Sequence, residues 1–287
     1  MTAAIIFGLG SAFFLGGGLV LTQFGLRYIN PLSGAAISVP SFTIVFLLLS
    51  PFLLHGQSIE WHAVPIFAAV GLVFPAALTM LTFASNRALG PVATGALGNL
   101  SPLLSVAVAV LLLHEPLRAI QFAGLMVAVL GVLAITVTRT DDMRDWQTWA
   151  LLLPLGASAV RGIIPPIIKV GLEVWPNPIA AGLTGYIFST LTVLAVERIR
   201  TGRFIVNAPW IGKMWFALNG ICNGTGTLLL YAALGAGPVS LVTPLYATYP
   251  LFTVGMSLMF LGNVKITWRL ITGTALTVGG VMLILMG

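Results

Sequence analysis

Apolar runs of about 20 residues, each closed by proline, glycine or charge, recur along the whole chain, and a run of that length can cross the hydrocarbon core of a bilayer as a helix. They predict spans at about Ala3 to Phe24, Pro31 to Leu54, Val64 to Ser85, Pro91 to Leu113 and Leu117 to Thr138. Five more follow at Thr148 to Val170, Pro178 to Val196, Trp210 to Leu234, Pro238 to Leu261 and Thr267 to Met286. The expected fold class is an all-α integral membrane protein with ten transmembrane helices. The opening stretch, MTAAIIFGLGSAFFLGGGLVL, lacks the basic n-region of a signal peptide and is long enough to span, so it is expected to stay as the first helix.

The most charged connector, RTDDMRDWQ at 139–147, divides the spans into five and five, and the two halves resemble each other. Gly10, Gly25 and Pro31 match Gly156, Gly171 and Pro178, and FGLRYINPLSGAA can be laid beside VGLEVWPNPIAAG with one insertion. Further along, Gly90-Pro91 falls on Gly237-Pro238, Pro102 on Pro250, and Gly124 and Gly131 on Gly273 and Gly280, at offsets of 146 to 149 residues. The expected organisation is a first repeat at 1–138, a connector at 139–147 and a second repeat at 148–287. Because five is odd, the two copies cross the membrane in opposite senses, an inverted repeat of the kind that builds many alternating-access transporters.

Composition agrees: 58% of residues are hydrophobic and 7% charged, against roughly a quarter charged in soluble domains. No room remains for a soluble catalytic domain, and no phosphate-binding G-x-x-x-x-G-K-[ST] loop occurs, so primary pumping would need a partner subunit. The formal net charge of +6 reports on topology and not on a nucleic-acid partner, because the basic residues sit at span ends. Connectors after spans 1, 3, 5, 7 and 9 hold Arg27, Arg87, Arg139, Arg144, Arg198, Arg200, Arg203, Lys213, Lys265 and Arg269, whereas the other side holds Arg118 and Lys169. By the positive-inside rule both termini are expected outside the cytoplasm. The single cysteine, Cys222, excludes an internal disulfide and reads as a small buried hydrophobe.

Two five-span copies, each with GP, a later Pro, an apolar helix, a short turn and a Gly-containing last span, resemble the drug/metabolite transporter superfamily, EamA type. The resemblance covers essentially the whole chain. Its best motif is LGPVATGALGNLSPLLSVAVAVLLLHEPL, in which Glu115 occupies the family's usual Glu after span 4; Asn263 stands there in the second copy. The resemblance implies a secondary transporter in the cell (inner) membrane, most like bacterial amino-acid and metabolite exporters, including the aromatic amino acid group. It implies a cavity formed mainly by spans 1, 3, 4, 6, 8 and 9, and no cofactor. Members often keep both termini in the cytoplasm, against the charge count here.

Candidate substrate groups are the polar and kinked positions at mid-span. Arg161 lies ~18 Å along span 6 at ~1.5 Å per residue, is the only full charge near mid-membrane, and precedes Pro165-Pro166, which remove backbone donors. Its planar fork could hold a substrate carboxylate, or it could be a structural arginine bonded to helix-end carbonyls. In span 8, Asn219 and Asn223 share a face that Thr227 and Tyr231 continue, while Gly220 and Gly224 have the spacing of close helix packing. Tyr246, Thr248 and Tyr249 cluster beside Pro250 in span 9, and Asn99 beside Pro102 in span 4. Span 3 adds Thr79, Met80 and Phe83, and span 1 adds Gly16-Gly17-Gly18. The expected hinges are Pro102, Pro165, Pro166 and Pro250.

All seven acids lie in connectors or at span ends, so no buried carboxylate is expected to trade protons against a cationic drug. One mid-span arginine is too few for a multiply charged phosphate ester. A small neutral or zwitterionic partner molecule, amino acids first, is the expected substrate, with multidrug or organic-cation export as the rival transporter reading. His55, His62 and His114 are too scattered for a metal site, and no G-x-S-x-G or H-E-x-x-H occurs, so neither metal nor enzyme chemistry is expected; a non-transporting scaffold or membrane enzyme is the remaining alternative.

Overall fold

A computed structural model describes residues 1–54, 59–82, 84–85, 88, 101–136, 148–260 and 268–286. In chain order these form α1 (Thr2–Gly25), α2 (Pro31–Leu53), α3 (Val64–Thr82), α4 (Ser101–Leu112), α5 (Ala119–Thr136), α6 (Leu152–Val174), α7 (Pro178–Thr201), α8 (Trp210–Ala236), α9a (Val239–Tyr246), α9b (Tyr249–Phe260) and α10 (Trp268–Met286). Among the described residues α1, α2, α3, α6 and α7 are long and apolar enough to cross a membrane. At 27 residues α8 is also long enough, but its middle carries Asn219, Asn223, Thr225 and Thr227.

The duplication is visible in how the second helix of each copy begins. Asn30 Oδ1 accepts from Ser33 N at 3.1 Å, and Asn177 Oδ1 accepts from Ile179 N and Ala180 N at 3.1 Å each. In both copies proline follows at the first helical position, where no N–H is needed. Proline also makes the breaks. Pro75 interrupts α3 after Val73, and Pro250 cannot donate to the carbonyl of Tyr246, where α9a stops and α9b begins three residues later. Pro165 and Pro166 do not interrupt α6, which runs continuously through them.

Packing between the copies depends on missing side chains. A Cβ on Gly220 would fall inside the backbone carbonyl of Ser38, and one on Gly224 inside the ring of Phe42, so α8 lies directly on α2. Gly18 faces the Asn223 amide in the same way, which brings α1 onto α8, and Ser11 Oγ donates to Gly226 O at 2.6 Å. Gly124, Gly131 and Gly280 let α5 and α10 cross closely at Ile284 and Thr277. Large apolar side chains such as Leu48, Phe52, Leu130 and Met282 face outward, as a lipid-exposed surface requires.

The bundle has two distinct ends. At one, Ala4 abuts Gly237 in the corner between α8 and α9a; we call this the terminal end. At the other, Phe24 stacks on Trp215 with centroids 4.8 Å apart, Gly212 packs on Tyr28 and Ile29, and Arg27, Arg198, Arg200, Arg203 and Lys213 belong to the surrounding helix ends. This is the basic end. Arg87, Arg139, Arg144, Lys265 and Asn263 lie outside the described residues.

Candidate substrate cavity

A cavity of about 100 Å³ lies between α1, α2, α3, α6, α7, α8 and the α9 break. Its walls include the apolar side chains Leu15, Leu19, Val39, Phe74 and Leu78 and two polar regions. Of the expected wall helices, 1, 3, 6, 8 and 9 contribute; the described part of span 4 does not, and residues 91–100 of that span lie outside the described residues. Two others do contribute, α2 through Ser38 and Val39 and α7 through Tyr186.

The first polar region is Arg161. Its Nη1 donates to Tyr249 Oη at 2.8 Å, and its guanidinium carbon sits 5.3 Å from the centroid of the Tyr249 ring. Tyr246 lies alongside, 6.3 Å from Tyr249 between ring centroids. Arg161 Nε is buried and has no hydrogen-bond partner among the described residues. Nearby, Pro165 and Pro166 lack the amides that would otherwise meet the carbonyls of Arg161 and Gly162 within α6. An unpaired donor on a buried cation is costly.

The second polar region is bonded to completion. Asn219, 1% exposed, donates through Nδ2 to Gly18 O and Thr22 Oγ1, each at 2.6 Å. Its Oδ1 accepts from Ser38 Oγ at 2.7 Å and from Asn223 Nδ2 at 3.2 Å. Two donors and two acceptors exhaust a carboxamide, so Asn219 ties α1, α2 and α8 together and has nothing left for a ligand. Asn223 stands one turn deeper, its amide against Gly18 and its backbone carbonyl accepting from Thr227 Oγ1 at 3.0 Å.

The structure brings Arg161, Asn219, Asn223, Tyr246, Tyr249 and Thr79 to the cavity wall. It does not bring Thr248 or Met80. Thr248 is 3% exposed, its hydroxyl donates to Leu245 O at 2.7 Å in the α9 break, and it faces Pro102 and Thr277. Met80 is one residue past Thr79 and so ~100° around the helix; it packs on the Phe42, Phe46 and Tyr186 cluster. Asn99 and Phe83 lie outside the described residues. Tyr231 is buried under Phe67, 6.3 Å between centroids, and does not reach the cavity.

Sequence reasoning missed Tyr186, which the small and polar run Gly182, Gly185 and Ser189 on one side of α7 could have signalled. It also missed a buried acid. Glu197 is 3% exposed at the end of α7, where Oε1 accepts from Ser33 Oγ at 2.9 Å and Oε2 from Arg200 Nη2 at 2.8 Å. Arg200 Nη2 also bonds Ser33 Oγ. A buried carboxylate therefore exists, contrary to expectation. It is neutralised by Arg200 and does not line the cavity.

At the terminal end the corner at Gly237-Pro238 is held by opposite charges. Glu115 accepts from the first amides of α9a, Val239 N at 2.7 Å and Ser240 N at 2.8 Å. Lys169 Nζ donates to the last carbonyls of the α8 turn, Leu234 O at 2.9 Å and Gly237 O at 3.2 Å. Each charge complements the helix end it meets, and Glu115 reaches from the first copy to the second.

Three comparisons bear on this arrangement. The model of the EamA-like transporter family matches twice, over residues 2–137 and 148–286. A solved structure titled "Crystal structure of protein" superposes with a TM-score of 0.80 at 17% identity, covering 99% of this chain and 96% of its own. No curated protein matches the chain in sequence.

Proposed function

We propose, from the premise that the chain belongs to the EamA-like transporter family, that it exports small carboxylate-bearing metabolites, a class that includes the amino acids expected from the sequence. The observation that carries this reading is Arg161: a buried guanidinium, its Nε without a partner among the described residues, in the wall of a cavity between the two repeats. A carboxylate can meet such a fork with two parallel bonds. The cavity, about 100 Å³, is smaller than the ~150 Å³ void that accepts benzene, which favours small aliphatic substrates over aromatic ones. The organic-cation reading lacks an acid among the described residues that line the cavity.

Transport proceeds by alternating access. The Glu115 and Lys169 contacts hold the terminal end shut, while the cavity extends from the α9 break toward the basic end. Pro102, Pro165, Pro166 and Pro250 are the hinges of this reading, Pro250 beside the α9 break and the others within continuous helices. The ten-to-two distribution of Lys and Arg along the sequence orients the basic end to the cytoplasm of an inner membrane, with both termini outside. Substrate would then enter from the cytoplasm, as export requires.

Counterflow in proteoliposomes tests the reading, with labelled alanine, valine and phenylalanine and with an imposed pH gradient as a second variable. Saturable flux of the smaller amino acids is expected. Flux of organic cations alone, driven by the proton gradient, would contradict it.

A further inference from the structure

We infer that the cavity selects a small aliphatic monocarboxylate lacking an ammonium group over the amino acid of the same skeleton. The inference rests on Arg161 holding the substrate carboxylate, and it adds a charge selectivity to that reading.

Among the described residues the cavity wall carries one formal charge, the Arg161 guanidinium, and no Asp or Glu. The acids within the described residues are committed or remote. Glu115 binds the amides of α9a, Glu197 is paired with Arg200 and Ser33, and Glu60 and Glu173 are exposed outside the cavity. Arg161 is thus a cation without a counter-ion among the described residues that line the cavity, and a single negative charge makes the complex neutral. An uncompensated buried charge is the costly state and its pairing the relieved one.

An α-amino acid satisfies the carboxylate half of that demand and adds a difficulty. Its ammonium is fixed one carbon from the carboxylate, so it comes within a few ångströms of the guanidinium and carries the same sign. The complex keeps a net positive charge, and a strongly hydrated cation has been moved out of water. The oxygens that could receive it are neutral: the tyrosine and threonine hydroxyls, the Asn223 amide, and the carbonyls left without amide partners by Pro165 and Pro166. Tyr249 Oη already accepts from Arg161, which leaves its own proton available to a carboxylate and one fewer lone pair for an ammonium.

Three probes of one skeleton separate the contributions: 3-methylbutanoate with charge −1, valine as the zwitterion, and 2-methylpropylamine with charge +1. Isothermal titration of the full-length protein in lipid nanodiscs at neutral pH is expected to rank them in that order. The dissociation constant of 3-methylbutanoate should lie at least ~10-fold below that of valine, the ratio that 1.4 kcal/mol produces, and the amine should not bind. In Arg161→Gln the gap between the two acids should close. Should that variant fail to fold, the ratio in the native protein still decides. Valine binding as tightly as 3-methylbutanoate, with both lost in Arg161→Gln, overturns the charge selectivity and leaves Arg161 as the carboxylate group. Amine binding tighter than either acid, or no binding by any of the three, overturns both readings.

Discussion

Asn219 and Arg161 are both polar residues in the middle of apolar helices, and their surroundings differ in one respect. Every donor and acceptor of Asn219 is matched by α1, α2 or its own helix. Among the described residues Arg161 has one firm partner, Tyr249, and a buried Nε with none. Saturation marks Asn219 as a joint between helices, where a ligand would have to break existing bonds. The open donor marks Arg161 as a place where a ligand would supply a missing one. Polarity at mid-membrane is common to both, so the completeness of bonding, and not polarity itself, separates structure from site.

The largest effect is expected at the joint. In Gly220→Ala the new methyl group collides with the backbone carbonyl of Ser38, which cannot step aside as a side chain could. Overpacking ordinarily costs ~1–3 kcal/mol, and a backbone collision belongs at or above the top of that range. Gel filtration and thermal melting should show little folded protein. Native-like melting would remove the claim that α2 and α8 depend on this close approach.

Asn219→Ala comes next. Three interhelical hydrogen bonds and one within α8 disappear, and at ~0.6 kcal/mol for an average interhelical bond in a membrane the three alone amount to about 2 kcal/mol. Flux per folded molecule should persist. If instead substrate affinity collapses while the melting temperature holds, Asn219 belongs to the site and the contrast with Arg161 fails.

Smaller still is Glu115→Gln. The side chain keeps its shape but loses the charge that complements the start of α9a, an interaction worth ~0.3–1 kcal/mol at a helix N-terminus. The terminal end should open more often, by up to about fivefold, as read by thiol labelling of a cysteine placed at Ser240 in a Cys222→Ala background. Unchanged labelling would mean that the corner is held by apolar packing alone.

Gly156→Ala should do least. A methyl group there meets only Leu81, at 3.6 Å and 4.0 Å, which is ordinary contact, and helix propensity favours alanine. A melting temperature within a few degrees of native is expected, and its distance from the Gly220→Ala result measures how much of the packing argument is backbone contact.

The spans and the duplication were legible because both rest on local signals: apolar runs of sufficient length, and proline and glycine recurring at a constant offset. Asn30-Pro31 and Asn177-Pro178 are the clearest instance, since a cap and a first-turn proline act within three residues of each other. What escaped the sequence depends on distant partners. Arg161 could be named, but Tyr249 is 88 positions away, and nothing local says which donor of the guanidinium remains open. Asn219 could be placed at the cavity wall, but its saturation could not be read, because the partners that saturate it come from 181 to 201 positions earlier. Glu197 looked solvated at a helix end, and Ser33, 164 positions distant, helps to bury it. Thr248 and Met80 were misplaced by rotation: a helix break in one case and a single-residue step in the other decided which face they occupy.

The central claim is that Arg161 receives the substrate carboxylate and does not hold the fold. Counterflow of labelled valine in proteoliposomes, measured for native protein and Arg161→Gln alongside their melting temperatures, tests it most directly. The account predicts flux lowered at least ~10-fold, the effect of losing ~1.4 kcal/mol or more of binding, with a melting temperature equal to or above the native value because an incompletely paired buried charge has been removed. Flux retained at the native rate, or lost together with the folded protein, would contradict it.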